Sequence, residues 1–491
     1  VDRLAAYLEA SGAGEGAVLP WREPSSSVCD WPVDGEGGAD LLLLLDRVVA
    51  QSNHLHHPRF VGHQVSSPLP EAALCDLVSS LLNNGTAVYE MGPVSTAMER
   101  NLVRWMAKQL GFPAGADGVF TSGGSAGNLT ALLAARQAKA GFDVWTEGAH
   151  GGRPLAVLVS EQAHYCVSRS LQIMGFGKAG AWPVPVDACF RMRPEALPDA
   201  LRAARAAGRH VIAVVASAGS TATGAFDPLD DVAEFCGVND LWFHVDGAHG
   251  ASAMLSDTHR GRLVGIERAD SVVWDAHKMM LMPALVTAVL FRDGRHSYQP
   301  FAQEASYLFS RQAPEEQWFN LASRTLECTK TMMVLKLYAG LAVRGRRFFA
   351  EYLDGMFGLA RRFAEAVREA PDFELAVEPD CNIVCFRWTG VAAASGAPSG
   401  GDLAGAVRDE IQSRIRRRVL ERGRFYLVQT ALPAGVYLRV TLVNPATTDS
   451  DLASLLDEVR EFGRALVGGG DAAQASAEGA MADRARPRRL R

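Results

Sequence analysis

Between Phe120 and Phe291, short apolar runs alternate with helical patterns, and no other feature restricts the possible folds as much. LAVLVS (155–160), VIAVVAS (211–217), LWFHVD (241–246) and SVVWDA (271–276) read as short buried strands, while LTALLAARQAKA (129–140) reads as a helix. Strands buried on both faces and separated by helices predict an α/β fold with a mainly parallel sheet covered on both sides.

The rest of the chain divides around this core. Residues 1–100 read as an arm or wrapping segment that includes the apolar helical stretch DLLLLLDRVVAQ (40–51), and residues 101–345 as the large domain. A long helical segment over roughly 314–368 leads into a small C-terminal α+β domain, residues 346–467. There FELAVEP, NIVCFRW, RFYLVQT and GVYLRVTLV read as strands, and AGAVRDEIQSRIRRRVLERG and SDLASLLDEVREFGRAL as helices. Thr448 and Asp451 have the spacing of a capping box at the start of the last helix. Small residues make 390–401 a flexible insertion, and 468–491, with no apolar period, a disordered tail.

Composition narrows the function classes. The chain's 491 residues carry a net charge of −6 with 48% hydrophobic and 21% charged residues, which gives no electrostatic case for nucleic acid. The longest apolar run, MMLMPALVTAVLF (279–291), contains Pro283 and falls short of the roughly 20 residues a membrane helix needs. The first residues lack the apolar core of a signal peptide, so the expected location is cytoplasmic and the expected partner a small molecule or a second copy of the chain. The eight cysteines form no CxxC pair, and His54, His56, His57 and His63 lack a carboxylate or thiol set at ligand spacing, so no metal is expected.

Three local features carry chemistry. In TSGGSAGNLTALLAAR, Gly123 and Gly124 precede a helix whose first turn includes Ser125, an arrangement that offers backbone N–H groups to a phosphate. It is neither GxGxxG nor GxxxxGK[ST], so neither a dinucleotide nor a P-loop nucleotide is supported. In LWFHVDGAHGA, Asp246 closes a strand where an acid can enter a cleft or simply cap a helix. In SVVWDAHKMMLMP, Lys278 follows the next strand and sits among apolar residues, where burying an ammonium without a purpose is costly. An anion cradle, an acid and an amine are what pyridoxal 5'-phosphate requires: a site for its phosphate, a partner for its ring nitrogen and a Schiff-base amine.

From about His57 to Gly463 the chain resembles the group II pyridoxal-phosphate-dependent amino-acid decarboxylases, which include the glutamate, aromatic amino-acid, cysteine-sulfinate and diaminobutyrate enzymes. SEQAHYCVSRSLQIMG, HVDGAHG and DAHKMM are the blocks that carry the resemblance. It implies the aspartate-aminotransferase-like fold type I with a seven-stranded sheet in the large domain. It further implies that His164 stacks on the cofactor ring, Asp246 pairs with the ring nitrogen, Ala248 lies against the ring, and Lys278 forms the Schiff base with His277 near the phosphate. Gly124 and Ser125 would line the phosphate site, Thr221 the cofactor's edge, and Arg439 would bind the substrate carboxylate.

ASYLFS aligns with the family's mobile catalytic loop and puts Tyr307 at its proton donor. The implied reaction is decarboxylation of an L-amino acid to the amine and CO2. A phenylalanine at that position would point to aldehyde formation instead. In the family this loop reaches the neighbouring subunit's site, so a homodimer is implied. HPRFVGHQ and NGTAVYE depart from the glutamate enzymes at His63, Gly85 and Ala87, which makes the pocket less suited to a side-chain carboxylate. Asp275 stands where many members carry Asn and adds a negative charge. The alternatives are a relative turned to aldehyde formation, carbon–sulfur cleavage or transamination, a catalytically silent ligand-binding relative, and a nucleotide-binding α/β protein.

Overall fold

The computed structural model describes residues 2–33, 37–301, 318–390 and 405–468. The expected insertion and tail therefore lie largely, and the ASYLFS loop wholly, outside the described residues.

The chain forms two compact units, Val65–Gly355 and, joined from both ends of the sequence, Val1–Gln64 with Met356–Arg491. The expected boundaries at 100 and 345 are thus replaced by 64 and 355. Backbone and side-chain hydrogen bonds explain the first shift. Val61 N–H donates to Tyr426 O at 3.0 Å, Thr441 N–H to Val61 O at 2.9 Å, and the Asn444 amide to the carbonyls of Leu55 and His57 at 3.0 and 2.9 Å. These bonds commit the chain up to residue 64 to the C-terminal sheet.

In the larger unit the described residues build a seven-stranded sheet from β1 (Asp117–Thr121), β2 (Leu155–Ser160), β3 (Ala181–Val184), β4 (His210–Ser217), β5 (Trp242–Asp246), β6 (Ser271–Asp275) and β7 (Thr287–Phe291). The spatial order is β1-β7-β6-β5-β4-β2-β3. The pairs β3–β2, β2–β4, β4–β5 and β5–β6 are parallel, and only β7 runs against its neighbours β6 and β1. The four strands read from the sequence are all present, fully buried as a sheet with two covered faces requires. Val119, Val157, Val159, Val215, Val273 and Val289 join Ala131, Leu132 and Ala135 of the helix Gly124–Lys139 in one core cluster. Each of these valines and the leucine contributes roughly 1.5–3 kcal/mol on burial. The helix approaches closely because Gly127 has no side chain: a Cβ there would stand 3.2 Å from methyls of Thr287 and Val289.

The expected long helix begins later than residue 314. It spans Val334–Glu369 and is broken at Gly345, whose φ of 73° is open to glycine. Upstream, Thr86 N–H donates to Lys330 O and Ala322 N–H to Ala87 O, both at 3.0 Å, so this backbone is bound to the 85–89 loop and is not free to wind.

In the other unit the described residues form a four-stranded antiparallel sheet of β8 (Phe373–Leu375), β9 (Ile383–Trp388), β10 (Val428–Leu432) and β11 (Gly435–Thr441), in the order β10-β11-β9-β8. β10 starts later than RFYLVQT suggests, because Tyr426 pairs with Phe60 instead, ring on ring at 5.0 Å. The helices Gly405–Arg422 and Asp449–Gly468 are where the sequence puts them. Thr448 N–H donates to Asp451 Oδ2 at 3.1 Å and Asp451 N–H to Thr448 Oγ1 at 3.2 Å, the reciprocal pair of a capping box. No helix among the described residues is long and apolar enough to cross a membrane.

Candidate active site

Strand order brings the chemistry to one edge of the sheet. β1, β6, β5, β4 and β2 run in the same direction, so their carboxyl ends share an edge, where α/β sheets bind ligands. Gly124 opens a helix three residues after β1, and Asp246 is the last residue of β5. Thr221 lies in the turn after β4, His164 beyond β2, and Lys278 in the single turn Ala276–Met279 after β6.

The amino end of the helix Gly124–Lys139 is open in shape. Its cap, Gly123, has φ 114°, a region favouring glycine, and makes no side-chain bond to the first turn. A Cβ on Gly124 would meet the Asp275 oxygens at 3.1 and 3.3 Å and Ala248 Cβ at 3.5 Å, so only glycine keeps this approach clear.

Lys278 Nζ lies 3.3 Å from Asp275 Oδ2, and His277 Nε2 lies 3.5 Å from the same oxygen. The Thr287 hydroxyl donates to Asp275 Oδ1 at 2.6 Å. His277 Nδ1 meets the carbonyl and N–H of Val286 at 3.0 and 3.2 Å, which fixes the ring. Asp246 is buried and accepts from Ala248 N–H at 3.2 Å, which holds the HVDGA turn against its own strand. His164 caps the helix Tyr165–Ile173, its Nδ1 accepting from Cys166 N–H at 3.3 Å. Burial pulls its imidazole below the ordinary histidine value; Lys278 adds to the pull, while the carboxylates of Asp246 and Asp275 oppose it. This favours the neutral ring at pH 7.

Three supports were not read from the sequence. Asp227 accepts N–H bonds from Ser217 at 2.7 Å and Met192 at 2.6 Å and pins the turn that holds Thr221; burial pushes its carboxyl up to about 6. The Cys166 thiol, raised to about 12 by burial and the charges of Asp246 and Asp275, hydrogen-bonds Ser125. His244 is wholly buried, with Nδ1 2.8 Å from Ser271 Oγ and Nε2 2.8 Å from Asn128 Oδ1, and Asn128 donates in turn to Gly124 O at 2.9 Å. Only His244 carried a local signal, its place two residues before Asp246 on the same strand face.

The remaining candidates lie elsewhere in the sequence. Gly85 packs on Thr329, and Ala87 is buried with its carbonyl bound to Ala322 N–H. In the other unit Arg439 is buried with Nη2 3.4 Å from Thr441 Oγ1, and the His63 ring lies tilted at 48° to that of Tyr426 with centroids 5.8 Å apart. Burial lowers His63, and the charge of Arg439 adds to the effect. Tyr307 lies outside the described residues. Among the described residues no group of three His, Cys, Asp or Glu side chains is placed to hold a metal.

An open helix amino end, a buried carboxylate, a neutral imidazole and an amine on one edge fit a phosphate-bearing pyridine aldehyde. Residues 44–389 match the pyridoxal-dependent decarboxylase conserved domain. The chain belongs to this family.

It is 30% identical to cysteine sulfinic acid decarboxylase of Mus musculus over 94% of both chains. Over 87% of its length it is also 30% identical to aromatic-L-amino-acid decarboxylase of Bacillus atrophaeus, covering 86% of that protein. The crystal structure of mouse CSAD superposes with a TM-score of 0.84 at 28% identity, covering 94% of this chain and 98% of that one. This pyridoxal-dependent decarboxylase therefore has fold type I, uses pyridoxal 5'-phosphate and is an amino-acid carboxy-lyase. The curated relatives named here are decarboxylases, which does not favour the aldehyde-forming, lyase or transaminase alternatives.

Proposed function

We propose that the decarboxylase works with Lys278 as the amine that bonds the cofactor, Asp246 as partner of the ring nitrogen, and His164 on the ring face. Gly124 and Ser125 hold the phosphate, with Thr221, Ala248 and His277 around the cofactor. The observation that carries this reading is the convergence of Gly124, His164, Asp246 and Lys278 on one sheet edge.

When bound, the cofactor supplies an electron sink for the bond to the departing carboxylate. Lys278 would hold the cofactor through its amine, and its Nζ would give up and take back a proton there. Asp246 would face the ring nitrogen and hold a proton there. Arg439 holds the substrate's carboxylate. Tyr307 returns a proton to Cα, and the product is the amine.

The substrate is an L-amino acid whose side chain meets His63, Gly85 and Ala87. The enzyme acts as a homodimer in the cytoplasm. The dimer is supported by exposed apolar surface: Leu41, Leu43 and Leu45 on the helix Leu41–Gln51 are 64%, 65% and 49% exposed, and Leu74, Leu77 and Leu81 on the helix Pro70–Leu82 are 58%, 55% and 77% exposed. Leu74, Leu77 and Leu81 share one face of their helix, and exposed apolar surface of this kind marks interaction sites. The location is supported by the eight cysteines, all present without a disulfide.

The test is a screen of the purified protein against the standard amino acids, diamino acids and cysteine sulfinic acid, following CO2 and amine together. Equal yields of the two support the reading. Ammonia or a keto acid in place of the amine would sink it.

A further inference from the structure

Asp275 has no part in the roles assigned above, yet it stands in the middle of them. Its carboxylate is buried, and its two oxygens lie 3.1 and 3.3 Å from where a Cβ on Gly124 would be. It therefore faces the first turn of the helix Gly124–Lys139, the turn whose N–H groups have no partners within the helix and attract anions. The groups around it come from every neighbouring element. Lys278 and His277 approach from its own turn, Thr287 from β7, Gly124 from the helix, and Ala248, whose carbonyl accepts from Asp275 N–H at 3.2 Å, from the loop after β5. His164 feels its charge from beyond β2.

The electrostatics of this arrangement are lopsided. Two buried carboxylates, Asp246 and Asp275, share the edge with the ammonium of Lys278 and the imidazole of His277. A phosphate at the helix end meets an anion already seated against the same turn, and like charges at such short range disfavour each other strongly where water is excluded.

We propose that Asp275 is a resident anion of the phosphate cradle that weakens the preference of this enzyme for pyridoxal 5'-phosphate over unphosphorylated pyridoxal. An asparagine would keep the shape and the bond from Thr287 and remove the charge. The inference rests on the assignment of Gly124 and Ser125 to the phosphate.

The experiment strips the cofactor from the holoenzyme and titrates wild type and Asp275→Asn with pyridoxal 5'-phosphate and with pyridoxal, following the visible absorbance of the bound compound. The ratio of the two affinities is expected to rise in the variant on the order of tenfold or more. A ratio that is unchanged or lower, with both proteins still binding, overturns the role of Asp275 and leaves the cofactor site standing. If neither protein binds the phosphorylated form better than pyridoxal, the phosphate assignment falls, and this inference with it. If Asp275→Asn does not fold, Asp275→Ser, which also removes the charge and keeps an acceptor oxygen, is read by the same ratio.

Discussion

The ammonium of Lys278 lies 3.3 Å from the carboxylate of Asp275, one helical turn earlier in the chain. The pairing gives the buried aspartate a counter-ion and holds the amine at the strand edge, where its charge helps to pull the His164 imidazole down. Lys278 is the amine proposed to bond the cofactor, and its removal is the most direct test of the site.

Lys278→Ala is expected to lower decarboxylation by at least about a thousandfold, as loss of a covalent catalyst does. Borohydride reduction followed by peptide mass spectrometry should attach the cofactor to the Lys278 peptide in the wild type and to no peptide in the variant. A cofactor mass on another lysine would show that the amine had been misassigned.

The end of β1, just before the glycine loop, is braced from behind by a buried pair. Lys330 Nζ bonds Glu99 at 2.8 and 3.1 Å and Phe120 O at 2.7 Å, while Glu99 accepts from Phe120 N–H at 3.0 Å. Lys330→Met strands the Glu99 charge and should cost about 3–5 kcal/mol in denaturant unfolding. Adding Glu99→Gln should recover part of that loss; a double variant no more stable than the single one would contradict the pairing argument.

His244 makes stability depend on pH. Burial drives its imidazole down to about 4 from an ordinary 6.5, so the unfolded chain takes up the proton first. Its contribution is complete above about pH 6.5 and is lost as the pH falls through 4, a change of about 3 kcal/mol. The stability gap between wild type and His244→Gln, measured by urea titration from pH 7 to 4, should narrow by that amount.

The exposed leucines carry a prediction about assembly. Leu43→Glu and Leu81→Glu each place a charge on an apolar surface that stable dimers keep dry. Sedimentation should find the wild type dimeric and each variant shifted toward monomer, with the melting temperature of the variants dependent on protein concentration. A wild type that remains monomeric at micromolar concentration would remove the dimer from the proposal.

Legibility followed the range of the interactions involved. Strands β2, β4, β5 and β6 could be read because burial on both faces leaves an unbroken apolar run, and the Thr448–Asp451 cap because it is a bond across three residues. The later start of the helix at Val334 could not be read, since what stops it is hydrogen bonding of 320–330 to a loop more than two hundred residues earlier. The first 64 residues likewise join the C-terminal unit through backbone bonds to Tyr426 and Thr441, which leave no trace in local periodicity.

By itself the sequence determined the parts: an amine among apolar residues at Lys278, an acid closing a strand at Asp246, a glycine opening a helix at Gly124. Only the tertiary structure decided that they meet, because the strand order β1-β7-β6-β5-β4-β2-β3 sets which carboxyl ends become neighbours. The same order seats Asp275 between Thr287, Lys278 and Gly124, residues contributed by β7, the turn after β6 and the helix after β1. Read along the chain, Asp275 is one more charge. Its meaning comes from the sheet, where it stands at the mouth of a helix that attracts anions.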